Sequence, residues 1–506
     1  MVLADLANGA LCALAGVCWR RGFRRPQRPQ VQHPVAPGWA LDVGTATGRL
    51  GRHYGVRALR PGVPVRLPAD AASQNLLVLG GIGSGKTTAL IEPLLEQLLR
   101  QHSGGLIFDV KGDFGGRVLE LAAPFGITIH RVGPGYARFP LLAGLSPELA
   151  ASFLKSAILL SGLSGGDAFW IDSATELLRN TLGVLTVLPE RYSLEGAYAY
   201  LFDAGDREQM DSDILARAPR LDGPQLRRLR AYQRYHESVF PVFDEKVAAG
   251  IRASAAQVLS PFSHPELVES FCRPEPDEGI EQILRPAVWL VDLPLSHWGL
   301  GGKVVYTLIK LRFFNMMQRR RVHAQSDSGA PVFFVCDEYQ EVVSANKEGL
   351  SDVNFWDKSR SSGMVGLVSA QSVSSFYAAL PQRDLADAIL QNFRQKICFR
   401  TEDPATLALI SAVLGRAPVT QESHSRTRSG HWFGRPHYSR GQTRGLQQRE
   451  LGNARLIRTL GPFEALALLS VGGVSQDDII KTRPLWQRDR LTPSGPDRAA
   501  EFEQFT

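Results

Sequence analysis

The sequence predicts an α/β protein with a mostly parallel sheet and an all-α domain inserted into it. Three observations predict this. First, a buried strand, a glycine loop and a helix follow one another over residues 75–94. Second, short apolar runs at 105–110, 288–292, 332–336, 364–368, 396–399 and 465–471 do not alternate with polar residues. That is the pattern of strands buried on both faces. Third, helical periodicity dominates residues 145–285, which separate the early runs from the later ones.

The glycine loop carries the most specific signal. Gly80, Gly81, Ile82, Gly83, Ser84, Gly85, Lys86, Thr87 and Thr88 fit the G-x-x-x-x-G-K-[ST] pattern between a strand and a helix. The glycines let the backbone curl so that its N–H groups point inward at phosphates, and the helix N-terminus adds its positive dipole end. Lys86 would reach the β- and γ-phosphates of ATP and Thr87 would hold Mg²⁺.

Composition is that of an ordinary globular protein with room for two or three domains in 506 residues. The net charge of +7 is mildly basic, compatible with nucleic acid or an anionic membrane surface. Five scattered cysteines (Cys12, Cys18, Cys272, Cys336 and Cys398) exclude a disulfide scaffold and show no zinc spacing.

In chain order, residues 1–38 are an N-terminal segment and a Pro-rich linker. Its apolar stretch, about 10–19, is shorter than a spanning helix and precedes its arginines, the reverse of a signal peptide. It reads as a weak membrane anchor or as a frayed helix. Residues 39–144 form the first part of a nucleotide-binding domain, with β-like pieces at 55–57 and 63–67 before the glycine loop. The inserted α domain, 145–285, contains Arg227, Arg228, Arg230, Tyr232, Arg234 and Tyr235, either a solvated helix face or a nucleic-acid contact. The second part of the nucleotide domain is 286–486. Within it, residues 420–445 read as a mobile loop or hairpin whose arginines and aromatics would suit single-stranded nucleic acid. A polar tail occupies 487–506.

The second half of an ATPase site follows the run 332–336. Asp337 would complete the Mg²⁺ shell with Thr87, and Glu338 would orient or deprotonate the attacking water. Asp109 and Asp292 also end strands, and read as ordinary loop carboxylates. Gln371, after the run 364–368, could hydrogen-bond the γ-phosphate or the water. Arg360 is either a surface ion-pair partner or an arginine finger reaching a neighbouring subunit.

With these motifs in order, residues 44–486 resemble the type IV secretion coupling proteins of the TraG/TraD kind, within the FtsK/HerA group of motor ATPases. The resemblance is carried by residues 80–88, the turn Asp109-Val110-Lys111-Gly112-Asp113, Phe169-Trp170, residues 258–262, Cys336-Asp337-Glu338-Tyr339, residues 360–372, 392–397 and 462–473. It implies a RecA-like P-loop NTPase carrying an all-α domain and assembled as a homo-hexamer at the cytoplasmic face of the inner membrane. It further implies single-stranded DNA bound with low specificity, relaxosome proteins and secretion-channel components as partners. Family members commonly begin with two spanning helices and a periplasmic loop, and this sequence offers at most one poor segment. Three functions stay open: a DNA-pumping coupling ATPase, an ATPase receptor for protein effectors, and a soluble ATP-switched scaffold.

Overall fold

The computed structural model describes residues 38–54, 59–160, 168–273, 280–284, 287–320, 331–347, 349–380, 382–429, 437–452 and 454–488. The N-terminal stretch 1–37, the piece 55–57 and the tail from 489 lie outside the described residues.

The strands are β1 (Ala40–Ala46), β2 (Pro64–Pro68), β3 (Leu76–Leu79), β4 (Gly105–Asp109), β5 (Thr128–Val132), β6 (Ala287–Asp292), β7 (Val332–Cys336), β8 (Met364–Ala370), β9 (Gln395–Cys398), β10 (Arg416–Ser429), β11 (His437–Glu450), β12 (Glu464–Leu468), β13 (Ser470–Val471), β14 (Val474–Ser475) and β15 (Asp478–Lys481). Eleven of them form one sheet in the order β2-β1-β15-β12-β9-β3-β8-β7-β4-β6-β5. From β9 to β5 every pairing is parallel. From β9 through β12, β15, β1 and β2 every pairing is antiparallel.

The parallel strands are apolar throughout because both faces are covered. Along β3, Leu77 and Leu79 enter one core while Leu76 and Val78 enter the other. Along β7, Val332, Phe334 and Cys336 face the first core and Phe333 and Val335 the second. Asn75, before β3, holds β3 to β8: its side chain donates to Ser359 Oγ (2.8 Å) and accepts from the Gly366 N–H (3.0 Å).

Between β5 and β6 the described chain forms only helices, the longest being Pro147–Leu160, Ala168–Leu185, Ala204–Arg217 and Glu245–Leu259. Their apolar faces join the sheet's first core without a break: Phe153, Leu177, Ile251 and Val258 share one cluster with Trp289, Phe314 and Phe334. The long helix Leu295–Arg319, which runs from β6 toward β7, is the shared wall.

The arginine-bearing helix Gly223–Arg234 turns its aromatics inward. Tyr232 lies against Gly183, where a Cβ would meet its ring at 2.4 Å, and donates to Glu148 (2.7 Å). Tyr235 is buried, while Arg227, Arg228, Arg230 and Arg234 are exposed. The stacking half of a nucleic-acid surface is therefore absent from that helix.

Residues 416–450 take the hairpin form. β10 and β11 pair in strict antiparallel register, Arg416 opposite Glu450 and Ser429 opposite His437, outside the main sheet. Among the described residues no helix is long and apolar enough to cross a membrane.

Candidate nucleotide site

The turns that could hold a nucleotide open at one rim of the sheet. Leu79 of β3 is level with Ala370 of β8 and Cys398 of β9. Cys336 of β7 is level with Val368 of β8 and Phe108 of β4. The chain leaves all five strands at their carboxyl ends, the edge where open α/β sheets bind ligands.

After β3 the glycine loop runs into a π-wound turn, Thr87–Ile91, and then the helix Glu92–Arg100. Glycine is needed at position 80 for close approach, since a Cβ there would stand 2.7 Å from that of Phe399. At Gly85 it is needed for φ, which is +90°. Lys86 is buried and folds back on the loop, donating to the carbonyls of Gly80 (2.7 Å) and Gly81 (3.3 Å). Burial lowers its pKa, opposed by the charges of Asp337 and Glu338. Ser84 Oγ, inside the loop, is buried with no hydrogen-bond partner among the described residues.

The carboxylates arrive from β7. Thr87 Oγ1 donates to Asp337 Oδ2 at 2.8 Å, although the residues lie 250 apart in sequence. Ser369 Oγ, from the neighbouring β8, bonds Asp337 Oδ1. Glu338 follows with a left-handed backbone (φ +56°) and only 4% exposure. Its Oε1 accepts from Lys111 Nζ (2.5 Å) and its Oε2 from Gln340 Nε2 (2.6 Å). Burial alone would lower the Lys111 pKa, but the Glu338 bond and charge, with Asp337 and Asp113, outweigh it and raise the value.

Lys111 has a fixed base. Asp109, at the end of β4, accepts from the N–H groups of Gly112 (2.7 Å), Phe114 (3.0 Å) and Gly115 (2.6 Å) and so shapes the turn that presents it. Asp292 accepts from Arg131 Nε (2.8 Å). Both strand-end aspartates are structural.

Gln371 leaves β8 at the same rim, directly after the residue level with Leu79. Arg360 does not join its own chain's site. It is exposed on the turn Ser359–Ser362 that precedes β8, at the opposite edge of the sheet. On the glycine loop's outer side lies a cavity of about 820 Å³ walled by Gly81, Ile82, Ser84, Arg400, Arg455 and Arg458. Its size suits a nucleotide.

Sequence reasoning assigned no role to Lys111, Ser369 or these three arginines. The signal for Lys111 was its place in the turn after β4; only strand order could show that β4 lies beside β7.

An orphaned hydroxyl in the loop, a threonine paired with an aspartate, and a lysine held only by carbonyls fit ATP with Mg²⁺. Residues 80–88 would hold the phosphates, and Thr87 and Asp337 the metal ion. Fold and site together define a RecA-like P-loop NTPase.

The comparisons with known proteins sharpen that class. Residues 59–120 match the family described as the type IV secretion-system coupling protein DNA-binding domain. Residues 331–462 match the one described as the TraM recognition site of TraD and TraG. The chain carries both matches, in that order.

Among solved structures it is similar to the bacterial conjugative coupling protein TrwBdeltaN70 in its unbound form, at 18% identity and a TM-score of 0.61, over 88% of this chain and 94% of that one. TrwB in complex with a non-hydrolysable ATP analogue aligns at 17% identity and a TM-score of 0.58, over 88% and 95%. TrwB with ADP and Mg²⁺ aligns at 18% and 0.60, over 89% and 95%. These identities establish the fold. No curated protein matches the chain.

Proposed function

We propose that this protein hydrolyses ATP to recruit DNA, as a relaxase–DNA complex, and pump it toward a type IV secretion channel. The observation that carries the reading is the assembly of Lys86, Thr87, Asp337 and Glu338 at one rim of the sheet. Lys86 leaves the loop carbonyls for the β- and γ-phosphates. Glu338 orients the attacking water and takes its proton. Gln371 hydrogen-bonds the γ-phosphate or that water. Thr87 and Asp337 would hold Mg²⁺, which would neutralise phosphate charge.

Arg360 stands at the edge away from its own site, so its chemistry is that of an arginine finger supplied to a neighbour in a homo-hexamer. DNA, relaxosome proteins and channel components are the partners this reading requires, and the cytoplasmic face of the inner membrane is its place. The hairpin β10–β11, with Arg416 and Arg440 exposed, supplies a basic element for a single strand. The domain division 39–144, 145–285 and 286–486 assigns the chemistry to the first and last parts and cargo contact to the middle.

The test is steady-state phosphate release, with and without single-stranded DNA, by wild type and Glu338→Gln. Wild type should be stimulated by DNA in a salt-sensitive manner. Glu338→Gln should bind ATP and retain it unhydrolysed, and normal turnover in that variant would sink the assignment.

A second reading, an ATPase receptor for protein effectors, is favoured by exposed apolar residues on the helical region: Phe169 (51%), Val239 (47%) and Val242 (81%). Replacing the exposed Phe169, Val239 and Val242 by Ser and measuring which cargo still binds separates the two. Turnover indifferent to DNA would favour the receptor, or a scaffold that moves nothing.

A further inference from the structure

We propose that Lys111 is a positioning residue that holds Glu338 away from the attacking water and releases it when a γ-phosphate arrives. The inference rests on Glu338 being the water-orienting group, and it adds how that group is controlled.

Glu338 has each oxygen engaged by a different donor, Lys111 Nζ at 2.5 Å and Gln340 Nε2 at 2.6 Å. A general base must accept from water, and a carboxylate drawn to an ammonium and an amide is aimed elsewhere. The two tethers differ. Gln340 is buried two residues along the same chain segment, whereas Lys111 comes from the turn after β4 and its side chain is about half exposed. That turn is pinned by three backbone hydrogen bonds to Asp109, so the base of Lys111 is fixed while its four-carbon stem can swing.

The charges around Lys111 supply a reason to swing. Lys111 stands on Glu338, and Lys86 precedes Thr87, which bonds the adjacent Asp337, so both cations serve one rim. A nucleotide phosphate bound there offers Lys111 more negative charge than one carboxylate does. Lys111 then exchanges Glu338 for phosphate, and Glu338 turns to the water. An empty or ADP-filled site keeps its base parked.

The experiment uses the full chain and a water-soluble carbodiimide, which joins a lysine amine to a carboxylate where the two touch. The 111–338 cross-linked peptide is quantified by mass spectrometry without nucleotide, with ADP and Mg²⁺, and with a non-hydrolysable ATP analogue and Mg²⁺. The expected result is a high yield in the first two states and a loss of most of it in the third. Equal yield in all three, or none in any, overturns the proposal. A second readout removes the other tether. Gln340→Ala should raise turnover without DNA by about two- to fivefold, the lower end of one net hydrogen bond, with KM unmoved. A fall in turnover overturns the proposal too. Because the cross-link needs no hydrolysis, its failure is distinct from failure of the Glu338→Gln test.

Discussion

Both halves of the molecule carry surface ion pairs, but buried ionisable groups gather in the sheet half. Near the sheet's rim and beneath it, ionisable groups are buried: Lys86, Glu338, Asp109, and the fully enclosed pair Lys310–Asp352 at 2.6 Å. In the helical region between β5 and β6, several pairs lie at the surface, as in Arg217–Glu190, Arg179–Glu176 and Arg273–Glu195. Desolvated charges interact strongly and hold one geometry, while solvated pairs contribute little and can be rearranged. The sheet half is built for chemistry at fixed positions, and the helical half presents a surface.

The sharpest way to break this contrast is Lys86→Ala. It should lower ATP turnover about a hundredfold or more, the scale of one lost phosphate-stabilising donor, read by phosphate release. Next comes Lys310→Met. It leaves Asp352 buried without its cation, and also removes the bonds to Val342 O and Ser344 Oγ. The expected loss is about 3–5 kcal/mol of stability, read as a lower urea midpoint.

The helical region holds one exception to its own pattern, and it predicts a pH effect. His236 is mostly buried, its Nε2 has no partner among the described residues, and burial followed by the Arg207 charge lowers its pKa to about 4. The unfolded imidazole titrates near 6.5. Its neutral state therefore supports the fold fully above pH 6.5, and that support drains away as pH falls toward 4, by about 3 kcal/mol at most. Thermal unfolding at pH 7.5, 5.5 and 4.5 should show the decline, and His236→Phe should flatten it. The smallest effect belongs to Arg217→Ala, which should leave the melting midpoint where it was. A marked drop would mean that the helical surface is more rigid than its exposed pairs suggest.

Much of this was readable from the sequence because parallel strands buried on both faces leave unbroken apolar runs, and because a phosphate loop allows few substitutes. The strands β3, β4, β6, β7, β8 and β9 all fall on such runs. β5 was missed: Thr128–Val132 lies at the sheet edge, mostly half-exposed, and reads as Thr-Ile-His-Arg-Val. β1, with its glycine and polar positions, hid for a similar reason. At the site, the motif residues were legible singly but their neighbours were not. The contacts Lys111–Glu338 and Ser369–Asp337 depend on β4 and β8 flanking β7, an order fixed by packing across long sequence distances. On the basic helix the arginines form the solvated face, and the tyrosines, at their own helical positions, pack against the helical core.

The sheet order has a consequence for biosynthesis. β1 and β2 are made first, yet they are separated from β3 by β15, β12 and β9. β1 pairs directly with β15, Thr45 opposite Lys481, so this edge cannot close until residue 481 has left the ribosome. The nascent β1–β2 pair must wait through hundreds of residues of synthesis with an unpaired edge exposed. A chain stopped before residue 478 would retain the glycine loop and the Asp337–Glu338 pair and still leave that early pair without its seat.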